Sequence, residues 1–182
     1  MSASQGGSMT AAHTRSRFAL PTFVAPVLTG AARVALGILW VNEGLLKYRA
    51  GFGGADILLV AGSASSNSRV PEYFKLFASL GLHSFPELFG VVMPLLETLL
   101  GVALILGLFT LPVGLFSVLT LALYWSADQL ITEYPVMIVL SAVVLAWRVP
   151  ASRYGLPALV RGIGRRRNGD GGERVVSTEP VV

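Results

Sequence analysis

The chain has 182 residues, of which 53% are hydrophobic and 13% charged, and its mean hydropathy is +0.67; a soluble domain carries about 25% charged residues, so about half the usual charge is missing. It contains no cysteine and two histidines, His13 and His83, which excludes disulfides, thiol chemistry, a cysteine-bound metal and a haem held between helix-borne histidines. The net charge of +4 is not a nucleic-acid signal, because nine of the fourteen basic residues lie in the terminal tails (Arg15, Arg17, Arg148, Arg153, Arg161, Arg165, Arg166, Arg167 and Arg174). That is the asymmetry expected when both tails are cytoplasmic.

In chain order, residues 1–25 read as a disordered cytoplasmic tail that leads into a retained anchor rather than a cleaved signal. The first apolar helix is expected over 26–48. Gly30, Gly37, Gly44 and Gly51 recur every seventh residue, which suits close approach of a neighbouring helix. A second stripe, Arg33, Leu36, Trp40, Glu43 and Lys47, follows the alternating three–four spacing of one helix face.

The connection 49–86 is the only long one, and it is expected to be extracytoplasmic. Within it Asp56–Val60 is too short to span, 62–68 reads as a flexible Gly/Ser linker, and a short interfacial helix from Pro71 to about Gly81 presents Phe74, Phe77 and Leu80 on one side. Further helices are expected over 87–109, 112–131 and 134–149. On the first of these, Gly90, Pro94, Glu97, Gly101 and Leu104 share a face. Glu133-Tyr134-Pro135 reads as a turn, Tyr124 and Trp125 as interfacial aromatics, and Trp147 with Arg148 as a cytoplasmic interface marker. Residues 151–182 form a basic cytoplasmic tail, with 153–164 expected to include a surface helix. The fold class is thus an all-α integral membrane protein: a four-helix transmembrane bundle over 26–150, both termini cytoplasmic.

Charges at membrane depth are expensive and mark sites. If residues 37 and 98 are taken as helix midpoints, Arg33 falls roughly 6 Å inward and Glu97 near the centre at ~1.5 Å per residue. This predicts an Arg33–Glu97 ion pair or shared hydrogen-bond network. On the same count Glu43, Lys47 and Asp128 lie ~9, ~15 and ~10 Å outward, where with Trp40, Tyr124 and Trp125 they would line a polar, aromatic cavity open to the outside, flanked by Asn42. The bland alternative is that Arg33–Glu97 only staples two helices and that Lys47 snorkels to the interface.

The run Arg33-x-x-x-Gly37-x-x-Trp40-x-x-x-Gly44-x-x-Lys47, with Glu97 followed by Gly101, Leu104, Gly107 and Thr110, resembles the signature of the DoxX/DoxD family of small bacterial membrane proteins. The resemblance covers about residues 26–150. It implies a multi-pass protein of the bacterial inner membrane. Some relatives are subunits of a thiosulfate:quinone oxidoreductase and others associate with oxidative-stress or redox complexes. The family's basic and acidic positions map onto Arg33, Lys47 and Glu97.

Three functions fit these residues. The first is a redox-linked subunit that binds quinone or quinol within the bundle, with no metal or covalent cofactor and a membrane redox complex as partner. Arg33 and Lys47 would be donors, Glu97 the proton group, Trp40 a ring wall, and Glu43 and Asp128 further lining; Arg33 and Glu97 are the candidates for any chemistry. The second is a non-catalytic scaffold or assembly partner. The third, on the same buried charges, is a small-solute or proton pathway. The residues do not name a reaction.

Overall fold

The computed structural model describes residues 24–129, 131–147, 151 and 155–157; the expectations for the two tails lie largely outside them. Among the described residues the secondary structure is helical, with no strand. In order they form α1 (Val24–Ala50), α2 (Gly54–Ser66), α3 (Glu72–Phe77) continued by one wide turn over Ala78–Leu82, α4 (Pro86–Leu106), α5 (Thr110–Ser126) and α6 (Tyr134–Ala146).

The most extensive helix contact joins α1 to α4; α6 packs on α1 and α5, and α5 on α4. The seven-residue glycine repeat explains the first contact. A Cβ on Gly37 would stand 2.8 Å from the Gly101 carbonyl oxygen, and one on Gly101 would stand 2.6 Å from that of Gly37. Gly44 meets the Pro94 carbonyl and Thr98 in the same way. With no side chain at either position the two backbones touch, which is how helices gain packing energy where no water drives them together. These contacts also fix the register of the pair, with Gly37 opposite Gly101 and Gly44 opposite Pro94–Thr98.

Polarity is reversed relative to a soluble domain. On α4 the exposed residues include Leu88, Val91, Leu95, Leu99 and Val102, whereas Glu97 is 0% exposed. Arg33, Glu43, Ser117 and Ser141 are buried as well. Apolar side chains that face outward around buried polar ones suit a lipid surround. α1 and α4 are long and apolar enough to cross a membrane, and α5 and α6 are shorter apolar helices.

Three helix ends use the same device. Gly51 and Gly107, both at φ 69, and Asp128, at φ 56, adopt the left-handed conformation that closes a helix. At Gly107 the paired bonds are Gly107 N–H to Leu104 O (3.1 Å) and Leu108 N–H to Ala103 O (2.9 Å). At Asp128 they are Asp128 N–H to Trp125 O and Gln129 N–H to Tyr124 O, both 3.0 Å. α5 therefore stops at Ser126 rather than running on to residue 131.

The long connection departs from expectation. α2 continues as helix through Gly62–Ser66, a stretch whose composition reads as linker. Tertiary packing overrides composition here. Ala61 and Ala64 are buried with Ile57 against Val70, Phe74, Ala78 and Leu82, and small residues allow that approach. Past Phe77 the wide turn adds a residue, and His83 N–H bonds back to Ala78 O at 2.9 Å. The shift moves Leu80 out to solvent or lipid and turns Leu82 inward.

Candidate functional site

Register decides where the charges meet. Gly44 lies opposite Thr98, so the carboxylate of Glu97 comes level with the last turns of α1. Lys47 Nζ donates to Glu97 Oε1 at 2.6 Å and lies 3.6 Å from Glu43 Oε2, one helical turn back on its own helix. The Tyr124 hydroxyl, from α5, donates to the same Glu97 oxygen. Glu97 Oε2 is buried and accepts nothing from any described residue. Two donors on one carboxylate oxygen leave the other as spare acceptor capacity inside the fold.

Aromatic rings wall the cluster. Lys47 Nζ stands 5.4 Å from the centre of the Tyr124 ring and 6.0 Å from that of Phe52, within cation–π range. Tyr134 stacks on Tyr124 with ring centres 5.4 Å apart and planes at 21°. Trp40 stands 6.5 Å from Tyr124 on another side. The Trp40 indole N–H donates to Ser117 Oγ at 2.8 Å, and Ser117 shares a hydrogen bond of 2.9 Å with Ser141. Each of these polar groups, in helices α1, α5 and α6, finds its partner on another helix, as burial away from water requires.

Beside Lys47 and Tyr124 lies a cavity lined also by Phe52, Phe74, Phe77 and Met93, with about 40 Å³ open to the centres of water molecules. That is room for about three waters. α3 and the wide turn form its roof. α3 and the 67–71 connection before it are fastened to the end of α5 by three polar contacts: Asn67 Nδ2 to Asp128 Oδ2 at 2.8 Å, Arg69 to Asp128 Oδ1 at 3.2 Å, and Tyr73 with Ser126 at 2.6 Å.

The expected Arg33–Glu97 pair is not formed. Arg33 lies against Gly107, at the far end of α4 and about ten residues, or about 15 Å, from Glu97. The expectation measured each charge from the middle of its own helix, whereas the glycine contacts offset the two helices by more than one turn. Asp128 does not join Glu43 and Lys47 in one pocket either. Its left-handed backbone turns the carboxylate to Asn67 and Arg69. Tyr124 is no belt residue but 5% exposed and inside the cluster, while its neighbour Trp125 faces outward. Glu43, Lys47, Glu97 and Trp40 are brought into one neighbourhood.

Tyr134 was hidden in the sequence by its place in an apparent turn, and Ser117 and Ser141 by their ordinariness. The usable signal for Ser141 was that it is the lone aliphatic hydroxyl within the apolar α6.

Helices of membrane length, apolar outside and charged inside, with no strand among the described residues, define a helical membrane protein. A family model narrows that class: DoxX matches residues 28–127, more than half of the chain, and the chain belongs to the DoxX family. The match takes in Arg33, Lys47, Glu97 and Tyr124 but stops short of Tyr134 and Ser141. No curated protein and no solved structure gives a significant match.

Proposed function

We propose that this protein is a redox-linked subunit of the bacterial inner membrane, in which the Lys47–Glu97–Tyr124 cluster receives the head group of a quinone or quinol. The observation that carries this reading is the unpartnered Oε2 of a fully buried Glu97 beside a bound ammonium and a phenol. A quinone carbonyl wants a donor and a quinol hydroxyl wants an acceptor, and the cluster offers both. The chemical fit is good. The cavity is water-sized, so a ring needs displacement of side chains in the α3 roof.

The quinone would supply two-electron chemistry. The protein's own residues would do the rest. Lys47 donates a hydrogen bond and neutralises the carboxylate, Tyr124 fixes the orientation of Glu97, and Glu97 Oε2 is the atom that takes up or returns a proton. Trp40 and Tyr134 hold Tyr124 in place by ring contact.

In this reading α1, α4, α5 and α6 all cross the membrane, with the start of α1 and the end of α6 cytoplasmic, as the basic tails favour. The partner is a membrane redox complex.

The test is saturable binding of a short-chain quinone to the purified protein, followed by quenching of tryptophan emission. Binding is expected for the wild type and a loss of tenfold or more for Glu97→Gln, about 1.4 kcal/mol or more. A wild type with no saturable binding defeats the reading and leaves the scaffold role, which crosslinking in native membranes would then display as one defined complex.

A further inference from the structure

At the other end of α1 lies a second polar cluster, whose unpartnered atoms can all donate. Arg33 is 3% exposed, and its Nε and Nη1 find no hydrogen-bond partner among the described residues. The guanidinium lies over Gly107, the residue that closes α4, and Gly155 packs against the same glycine. Three residues on, Thr110 opens the seventeen-residue α5; its hydroxyl is also buried and without a partner. The first turn of α5 offers N–H groups that have no acceptor within the helix.

Nothing anionic among the described residues balances this end. Glu43 and Glu97 share Lys47, Asp56 accepts from the Gly53 N–H, Glu72 pairs with Lys75, and Asp128 pairs with Arg69. Glu87 and Glu133 stand at the starts of α4 and α6, whereas Gly107 lies just past the end of α4. A buried guanidinium without a counter-charge is among the costlier things a fold can hold, and unsatisfied buried groups call for a missing ion or water.

We infer that Arg33, Thr110 and the first turn of α5 form an oxyanion site for a phosphate group, carried either by an anionic lipid head group or by free phosphate. A guanidinium presents two planar forks, Nη1 with Nη2 and Nε with Nη2, each matching two oxygens of one phosphate, so an anion at either fork meets one of the orphaned nitrogens. The α5 N-terminus adds the positive end of a helix dipole and free N–H groups. Depth agrees with this chemistry. The reversal at 107–109 breaks helical hydrogen bonding, and non-helical backbone avoids the hydrocarbon, so this corner belongs at head-group level. The site is about 15 Å from Glu97 and does not depend on quinone binding there.

The test uses the full chain in phosphate-free, lipid-depleted detergent. Its melting temperature is followed with inorganic phosphate, and separately with phosphatidylglycerol, each against chloride at matched ionic strength. At least one of the two is expected to raise the wild-type melting temperature by several degrees. The responder distinguishes free phosphate from lipid. The shift should vanish in Arg33→Gln and persist in Glu97→Gln. Thr110→Val, similar in volume, should weaken the apparent Kd about tenfold, and it carries the test if Arg33→Gln does not fold. A wild type that responds to neither probe overturns the site, as does a response unchanged in Arg33→Gln or Thr110→Val. So does a drop of several degrees in the phosphate-free melting temperature of a variant with Asp170→Asn, Glu173→Gln and Glu179→Gln, since the chain's own carboxylates would then be the partner of Arg33.

Discussion

The two ends of α1 treat a buried cation in opposite ways. Toward its C-terminal end Lys47 has Glu97 at 2.6 Å, Glu43 at 3.6 Å and the face of Tyr124, and among the described residues the only orphan there is an acceptor. Toward its N-terminal end Arg33 is more deeply buried, and the orphans among the described residues there can all donate. Both residues sit on one stripe of one helix, spaced by the same helical period. What separates them is the neighbour that each meets. The Gly37–Gly101 and Gly44–Thr98 contacts slide α4 so that its only buried carboxylate serves one cation and leaves the other. Depth within a helix is therefore a poor guide to pairing until the offset between helices is known.

That contrast can be attacked directly. Lys47→Met strands the Glu97 carboxylate in the core and should cost about 3–5 kcal/mol, as broken buried pairs do, whereas the double variant Lys47→Met/Glu97→Leu should recover most of the loss. Arg33→Met, in phosphate-free detergent, strands no carboxylate and should cost much less or even stabilise. Reversible unfolding of the four proteins, wild type included, gives both answers. Equal losses for Lys47→Met and Arg33→Met would erase the distinction.

Next in size is Tyr124→Phe. It removes one of two donors from a buried carboxylate, with an expected loss of about 1.5–3 kcal/mol in the same assay. A loss below about 0.5 kcal/mol, within the range of ordinary surface substitutions, would mean that the phenol is a spectator.

The register itself is tested at its glycines. Gly101→Ala drives a methyl to 2.6 Å from the Gly37 carbonyl and should cost about 1–3 kcal/mol. Gly62→Ala, which meets nothing within 4 Å in the interior of α2, should instead stabilise by about 0.5–1 kcal/mol. The smallest effect belongs to the roof. Asp128→Asn keeps a left-handed-tolerant residue and a hydrogen-bond acceptor but loses the ion pair to the mostly exposed Arg69, so the change should stay under about 1 kcal/mol and fade with added salt.

The helices were legible because long apolar runs end at Gly or Pro, and the face of α4 bearing Gly90, Pro94, Glu97, Gly101 and Leu104 is buried as its spacing implies. The glycine repeat pointed correctly to close packing on α1. The offset between α1 and α4 was not legible: it follows from which glycine faces which, a pairwise property that neither helix carries alone. The end of α5 was missed because Asp128 takes a backbone conformation usually left to glycine or asparagine. The helical course of 62–66 was missed because small residues signal a linker in water and a close contact in a packed interior.

The Trp40–Ser117 bond has an optical consequence. Of the three tryptophans, Trp125 and Trp147 are 69% and 50% exposed, while Trp40 is sealed and hydrogen-bonded to a residue 77 positions away. A quencher dissolved in the bilayer or micelle should extinguish the first two and spare the third. What emission remains then comes from an indole whose environment exists only while α1 and α5 are seated together, so the protein carries its own light for watching that junction open.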